Sequence, residues 1–328
     1  MTYVKKETII LIYRILVEYT DEDHFLTQAQ LIEKLKQIYN VEVERKSVAN
    51  SIMLLQELDY DIVKGEHSGY ALFSRTLDNN EIKFINDALF SSRVISGKQA
   101  LEISNKLNSF LSKYQKKKYT YLYKSTDLNR TNNENVFLNL EIIEEAIEKN
   151  KKISFQYITY DENCKVVTRF NGFRFILSPY YLVNNFGKYY CLGHYRDKYK
   201  PLQNYRLEYM VDVQIENEDC IPINEVNGLE NFEITKYLNE HIYIFSSKVI
   251  NAKLEILVNY AVQYIYEYFG NNVKFYKQDE KTFVEVKCSY DALFYWVLQY
   301  SNCIKVIEPN ELIERLKEFF YKENKKYN

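Results

Sequence analysis

The stretch from 187 to 210, GKYYCLGHYRDKYKPLQNYRLEYM, crowds tyrosines, a histidine and several cations into a strand-like run. Aromatic faces stack on bases and cations hold phosphate, so these residue types suit a nucleotide or a short single strand. The competing expectation is the inner face of a β-barrel in a tyrosine-rich protein. With 32 Tyr, 19 Phe and 8 Gly, residue usage leans toward AT-rich codons, which weakens any argument from tyrosine number. Nucleophilic or metal-assisted catalysis finds little footing. No GxSxG, P-loop, HExxH or usefully spaced carboxylate pair occurs. Cys191 and His194 stand three apart, and on a strand an odd separation points them to opposite faces. Cys191 is therefore expected in a core, and neither a catalytic residue nor a cofactor is expected.

At 328 residues the chain is long enough for two or three domains. Its 46% hydrophobic and 27% charged content describes a folded, soluble protein. The five cysteines are odd in number, widely spaced and lack a CxxC, which argues against disulfides or zinc and fits a reducing cytoplasm. None of the four histidines pairs at metal-ligand spacing. The apolar run IILI at 9–12 is far short of a membrane span, and MTYVKKETII lacks a cleavable signal pattern. The net charge of −2 hides an uneven distribution. Residues 1–75 hold 9 Lys/Arg against 12 Asp/Glu, and residues 76–135 hold 10 against 6, including KYQKKKY at 113–119. Those cations read as a solvated helix end with a long-range effect on phosphate.

The elements that must position these residues follow from periodicity. Ile9, Ile12, Leu16 and Tyr19 recur at helical spacing. Thr27 with Gln30 is a capping box opening a second helix, which Leu31, Leu35 and Ile38 line and Asn40 stops. A third begins near Glu44 and buries Val48, Ile52 and Leu55. YDIVKGEHSGYALF then reads as a hairpin turning at Gly65–Gly69. Two short helices joined by a tight turn and followed by a hairpin form a winged helix-turn-helix. Residues 78–125 are helical again, and Asn-rich 125–135 is a loop. After a helix over LNLEIIEEAIEKN, four or five alternating strands to about 215 suggest a small barrel. The tail from 251 has the order βαββαβα of a ferredoxin-like sandwich.

In this order the segments resemble the WYL-domain transcriptional regulators of bacteria. LTQAQLIEKLKQIYNVEVERKSVANSIMLLQELDYDI carries the resemblance at the front, and RFILSPYYLVNNFGKYYCLGHYRDKYKPLQNYRLEYM is its most specific part. FEITKYLNEHIYIFS and IKVIEPNELIERL resemble the C-terminal extension often called WCX. The resemblance implies a multidomain α+β chain. It comprises a winged helix-turn-helix (1–76), a helical connector and dimerisation region (77–135), a Sm/SH3-like WYL barrel (136–222), a linker (223–250) and a ferredoxin-like WCX extension (251–328). Three departures stand out: Cys191 replaces the signature leucine, His194 an aromatic, and Tyr209 the arginine usual late in the last barrel strand. The pocket should then hold less positive charge than is usual in the family.

The resemblance implies a cytoplasmic homodimer that binds a double-stranded operator and senses a nucleotide or single-stranded nucleic acid. The alternative is an interaction or accessory module of a phage-defence or CRISPR system, without its own operator. A winged helix-turn-helix places its second helix in the major groove. The outward face there offers Arg45, Lys46, Ser47, Asn50 and Ser51, with Arg suited to guanine, Asn to adenine, and Ser and Lys to phosphate. Lys64, His67 and Ser68 on the wing lie where they reach the adjacent backbone. For the barrel, Ser178, Tyr180, Tyr189 or Tyr190, His194 and Arg206 occupy the matching strands, and Arg169 and Arg174 precede them. Alternation puts Arg206 and Glu208 on one face, so Glu208 is expected to neutralise Arg206, and Tyr209 is expected on the other.

Overall fold

A computed structural model of the chain describes residues 7–65, 68–117, 130–131, 133–196, 202–270 and 273–328. It divides into two compact units that meet between Glu134 and Asn135.

The first unit opens with helices α1 (Thr8–Tyr19), α2 (Gln28–Tyr39) and α3 (Arg45–Glu57), then strands β1 (Ile62–Lys64) and β2 (Tyr70–Leu72). Helix α2 starts where its capping box requires: the Gln30 amide donates to Thr27 Oγ1 at 3.3 Å and the Thr27 amide to Gln30 Oε1 at 2.8 Å. It stops at Asn40, whose left-handed φ of 54° ends the helical ladder. Leu11, Ile12, Ile15 and Leu16 of α1 share one core with Leu31, Leu35, Val48, Ile52 and Leu55. The hairpin pairs Ile62 with Leu72 and Lys64 with Tyr70. Its two glycines exist because Phe25 lies against them; a Cβ on either would stand 2.8 Å from a Phe25 carbon.

Helices α4 (Asn79–Ser91), α5 (Gly97–Asn108) and α6 (Lys113–Lys117) complete this unit. A polar clasp fastens them to α1. Arg75 donates to the carbonyls of Val17 (3.0 Å), Thr20 (2.5 Å) and Phe110 (2.8 Å). The buried Asp21 accepts from Ser112 Oγ at 2.5 Å, and His24 stacks on Tyr114 with ring centroids 3.6 Å apart. Burial would raise the Asp21 carboxyl, but hydrogen bonds from Ser112, His24 and the Asp23 amide outweigh it and hold the group below its usual range.

The second unit begins with α7 (Val136–Glu148) and six antiparallel strands: β3 (Lys151–Tyr160), β4 (Val166–Thr168), β5 (Arg174–Asn185), β6 (Lys188–His194), β7 (Gln203–Arg206) and β8 (Met210–Asp219). They pair as β4-β3-β5-β6-β7, with β8 also on β3. The sheet is strongly curled. Phe155 of β3 and Tyr205 of β7 are three pairings apart in the sheet order, yet their ring centroids lie 4.9 Å apart, whereas a flat sheet separates such strands by roughly 14 Å. Ile143 and Ala146 of α7 close the core around Ile153, Phe155, Leu177, Cys191, Leu207 and Met210.

The chain then forms α8 (Ile234–Glu240), β9 (Val249–Ile256), α9 (Ala261–Phe269), β10 (Lys274–Gln278), β11 (Lys281–Ser289), α10 (Tyr290–Gln299), β12 (Ile304–Glu308) and α11 (Asn310–Lys326). From β9 onward the order is βαββαβα, and the sheet runs β10-β11-β9-β12. The stretch expected as a linker, 223–250, is instead packed. Val226, Leu229, Phe232, Tyr237 and Leu238 cover Val183, Tyr190 and Leu192 on the outer side of β5 and β6. Apolar residues at 226, 229 and 232, three apart, bury themselves rather than remain in water.

Candidate functional site

Helix α3 turns Val48, Ile52 and Leu55 inward and leaves Arg45, Lys46 and Asn50 exposed. Ser47 and Ser51 are half-buried, and the Ser51 hydroxyl donates to the Ser47 carbonyl at 2.9 Å, so Ser51 is occupied within its own helix. One turn further on, Met53, Leu54 and Leu58 are also exposed. On the hairpin Lys64 and Ser68 are exposed, with Ser68 at φ 58° in the turn, while His67 lies outside the described residues. The cationic run at 113–119 is described only to Lys117.

The expected ligand residues separate into groups. Arg206 pairs in register with Tyr190 across β6 and β7. Its Nε donates to Glu208 Oε1 at 2.8 Å, and Nη2 reaches the same oxygen. Its backbone amide donates to the Tyr157 hydroxyl at 3.1 Å, and its guanidinium lies 4.6 Å above the Tyr209 ring. Strand β7 ends at Arg206 and residues 207–209 form a 3₁₀ turn, so two-residue alternation ceases. Glu208 does neutralise Arg206, but Tyr209 comes round beside it instead of facing away. Burial draws the guanidinium pKa down, yet the hydrogen bond and charge of Glu208 outweigh this and raise it. Burial pushes the Tyr157 phenol up to about 12 and raises Tyr190 too, so both stay neutral. Arg169 joins this cluster, its guanidinium 5.8 Å from the Tyr157 ring centroid.

The others are engaged elsewhere. Arg174 donates to Ser154 Oγ (2.9 Å), Asp212 Oδ2 (2.6 Å) and the Asp212 carbonyl (2.8 Å), strapping β5 to β3 and β8. Tyr189 packs against the core of the curled sheet. Ser178 and Tyr180 hold the chain leaving β8: Ser178 Oγ accepts from the Ile221 amide at 3.1 Å, and the Tyr180 hydroxyl donates to the Ile221 carbonyl at 2.7 Å. The register shifts between Pro179 and Tyr181, and His194 is buried opposite Ser178. Cys191 is buried in the core, where desolvation pushes its thiol far up and makes it a poor nucleophile.

Sequence reasoning missed Tyr157, since its role depends on a strand three pairings away. It also missed the phenylalanine-rich turn after β4, which no motif marks. Among the described residues no cluster of His, Cys, Asp and Glu could hold a metal, and no helix is long and apolar enough to cross a membrane.

Residues 139–215 match the family model of the WYL domain, covering α7 and the curled sheet. The chain is similar in structure to a CRISPR Cas-related protein, at 15% identity and a TM-score of 0.39, over 100% of this chain and 88% of that one. It is also similar to the proteasome accessory factor B/C (PafBC) of Arthrobacter aurescens, at 11% identity and a TM-score of 0.28. That match covers 96% of this chain but 48% of the PafBC chain, about half its length. No curated protein matches the sequence.

Proposed function

We propose that the chain is a cytoplasmic, homodimeric transcription regulator rather than an enzyme. The first unit would bind operator DNA and the WYL domain would sense a nucleotide or a single-stranded nucleic acid. The observation that carries this reading is the division of α3: three apolar residues hold it in the core while Arg45, Lys46 and Asn50 face outward, just before a hairpin bearing Lys64. That arrangement suits a recognition helix with its wing, in which arginine and asparagine read base edges and lysines meet phosphate. The Arg206 cluster suits the effector, and the βαββαβα tail suits a ferredoxin-like WCX extension that helps join two copies. Effector binding would shift the population of DNA-competent dimers.

The test is footprinting of duplex DNA from upstream of its own gene. Discrete, salt-sensitive protection is expected, with Arg45→Ala and Asn50→Ala each weakening it by about 1–3 kcal/mol. Undiminished protection in both variants sinks the recognition-helix assignment.

A second reading, an accessory module without an operator, is favoured by two observations. Residues 1–75 carry more acid than base, and Met53 and Leu54 on α3 and Leu58 just after it are exposed, where a protein partner would cover them. Absence of any duplex binding, with a stable complex to another protein through α3, is its expected signature.

A further inference from the structure

Strand β4 leads into a turn with an unusual backbone. Phe170 sits at φ 51° and ψ 42°, Asn171 at 53° and 40°, and Gly172 follows at φ 78°. Glycine and asparagine tolerate the left-handed region, but a bulky phenylalanine is costly there. The turn is held by the Gln156 side-chain amide donating to the Gly172 carbonyl at 2.8 Å and the Phe173 amide to the Phe170 carbonyl at 3.2 Å. The strained residue gains no burial in return, since Phe170 is 67% exposed and Phe173 is 42% exposed.

These two rings stand over a cavity of about 450 Å³ that Phe175, Tyr195 and Tyr205 also line. Phe175 is its hub, with ring centroids 5.1 Å from Phe173, 5.6 Å from Tyr195 and 5.5 Å from Tyr205. Arg196 lines it, with its guanidinium 4.9 Å above Tyr195, and the Arg169 guanidinium lies 5.2 Å above the Phe170 ring. Gln203 adds an amide to the lining. Rings that served packing alone would be buried, whereas here strain holds one in water beside the Arg169 guanidinium.

We propose that this aromatic cup takes one unstacked nucleobase, with Arg169 and Arg196 meeting its phosphate. Stacking uses the ring faces, and the arginines complement an anion. A purely apolar occupant would desolvate those guanidinium groups with no anion to offset the cost. The inference rests on the nucleic-acid reading of the barrel and adds a second site, which shares Arg169 with the Arg206 cluster.

A Phe170→Trp variant supplies the reporter, because the chain's single tryptophan, Trp296, is fully buried and contributes a constant background. Saturable quenching by a short oligo(dA) strand is expected. Phe170→Gly should lower affinity for that strand about tenfold, in line with the value of one base-stacking contact. Its melting temperature should not fall, because glycine accepts the positive φ. AMP binding as tightly as oligo(dA) would identify a free nucleotide as the source, and binding of oligo(dA) alone a single strand. Wild-type affinity in both Phe170→Gly and Phe173→Ala overturns the cup. So does a change in oligomeric mass in those variants with oligo(dA) binding intact, which would make it a protein contact. Duplex binding by the wild type with no binding of oligo(dA) or AMP overturns the cup and leaves the DNA-binding reading standing.

Discussion

Replacing Arg206 by alanine looks like a test of ligand binding, but the structure makes it first a test of folding. The Glu208 side chain is 5% exposed and that of Arg206 is 29% exposed, so the variant strands a nearly buried carboxylate without its guanidinium. Removing one partner of a buried pair costs about 3–5 kcal/mol, and the partial exposure of Arg206 trims this to about 2–3 kcal/mol. Losing the guanidinium above Tyr209 adds about 0.5 kcal/mol. For a unit of this size the melting temperature should fall by about 5–10 °C. Glu208→Gln should cost less, because the guanidinium keeps water and Tyr209. The double variant should cost less than the sum of the singles, with a coupling of about 1–2 kcal/mol. Denaturant unfolding of the four proteins measures this directly. Additive losses, or an Arg206→Ala variant as stable as wild type, would refute the pairing. Binding then acquires a sign: if Arg206 meets an anionic effector, Glu208 competes for it, and Glu208→Gln should bind the effector more tightly than wild type.

Asp21 should make the first unit sensitive to acid. Its folded-state pKa is depressed, so its contribution is present above the unfolded value of about 3.9 and is lost as pH falls through the folded value. Asp21→Asn should therefore flatten the decline in melting temperature below about pH 4 and cost about 1–2 kcal/mol at neutral pH; an unchanged acid limb would count against the clasp. Among the cysteines, the exposed Cys164 should react first with a thiol reagent, while Cys191 and Cys288, buried and with thiols pushed up (Cys288 to about 12), should stay protected until unfolding. Mass spectrometry of the labelled native protein decides it. A Cβ at Gly193 would sit 2.4 Å from the Ser178 carbonyl, so Gly193→Ala should destabilise the second unit by about 2–3 kcal/mol, read by its urea midpoint.

The legible parts of the fold were those whose signals are local. The Thr27–Gln30 box, the Asn40 stop and the glycines around the hairpin turn each act over a few residues, and each appears where the sequence places it. The tail order βαββαβα was legible because its helical and strand periods differ clearly. The site was much less so. Residue types picked out Arg206 and its neutralisation by Glu208, but alternation failed at Tyr209 because β7 ends at Arg206 and a 3₁₀ turn carries residues 207–209. Arg174 was named for its charge, and charge alone cannot say that Asp212 and Ser154 take its donors. The stretch 223–250 carries no strong period over most of its length, and only the outer face of β5 and β6 shows why its apolar residues are there.

By itself, then, the sequence determined the elements, their order and which face of α3 is polar, since helical and strand periodicity and caps are local properties of the chain. Tertiary structure decided which side chains meet. Curling of the sheet carries Phe155 onto Tyr205 and Tyr157 to Arg206, contacts between residues roughly fifty positions apart. It also decided that Phe170 bears a left-handed backbone while its ring stays exposed, a choice no pattern of residue types encodes. The physical reason is the same in each case: spacing along the chain sets the direction in which a side chain leaves its element, but its partner is set by where the neighbouring strands close.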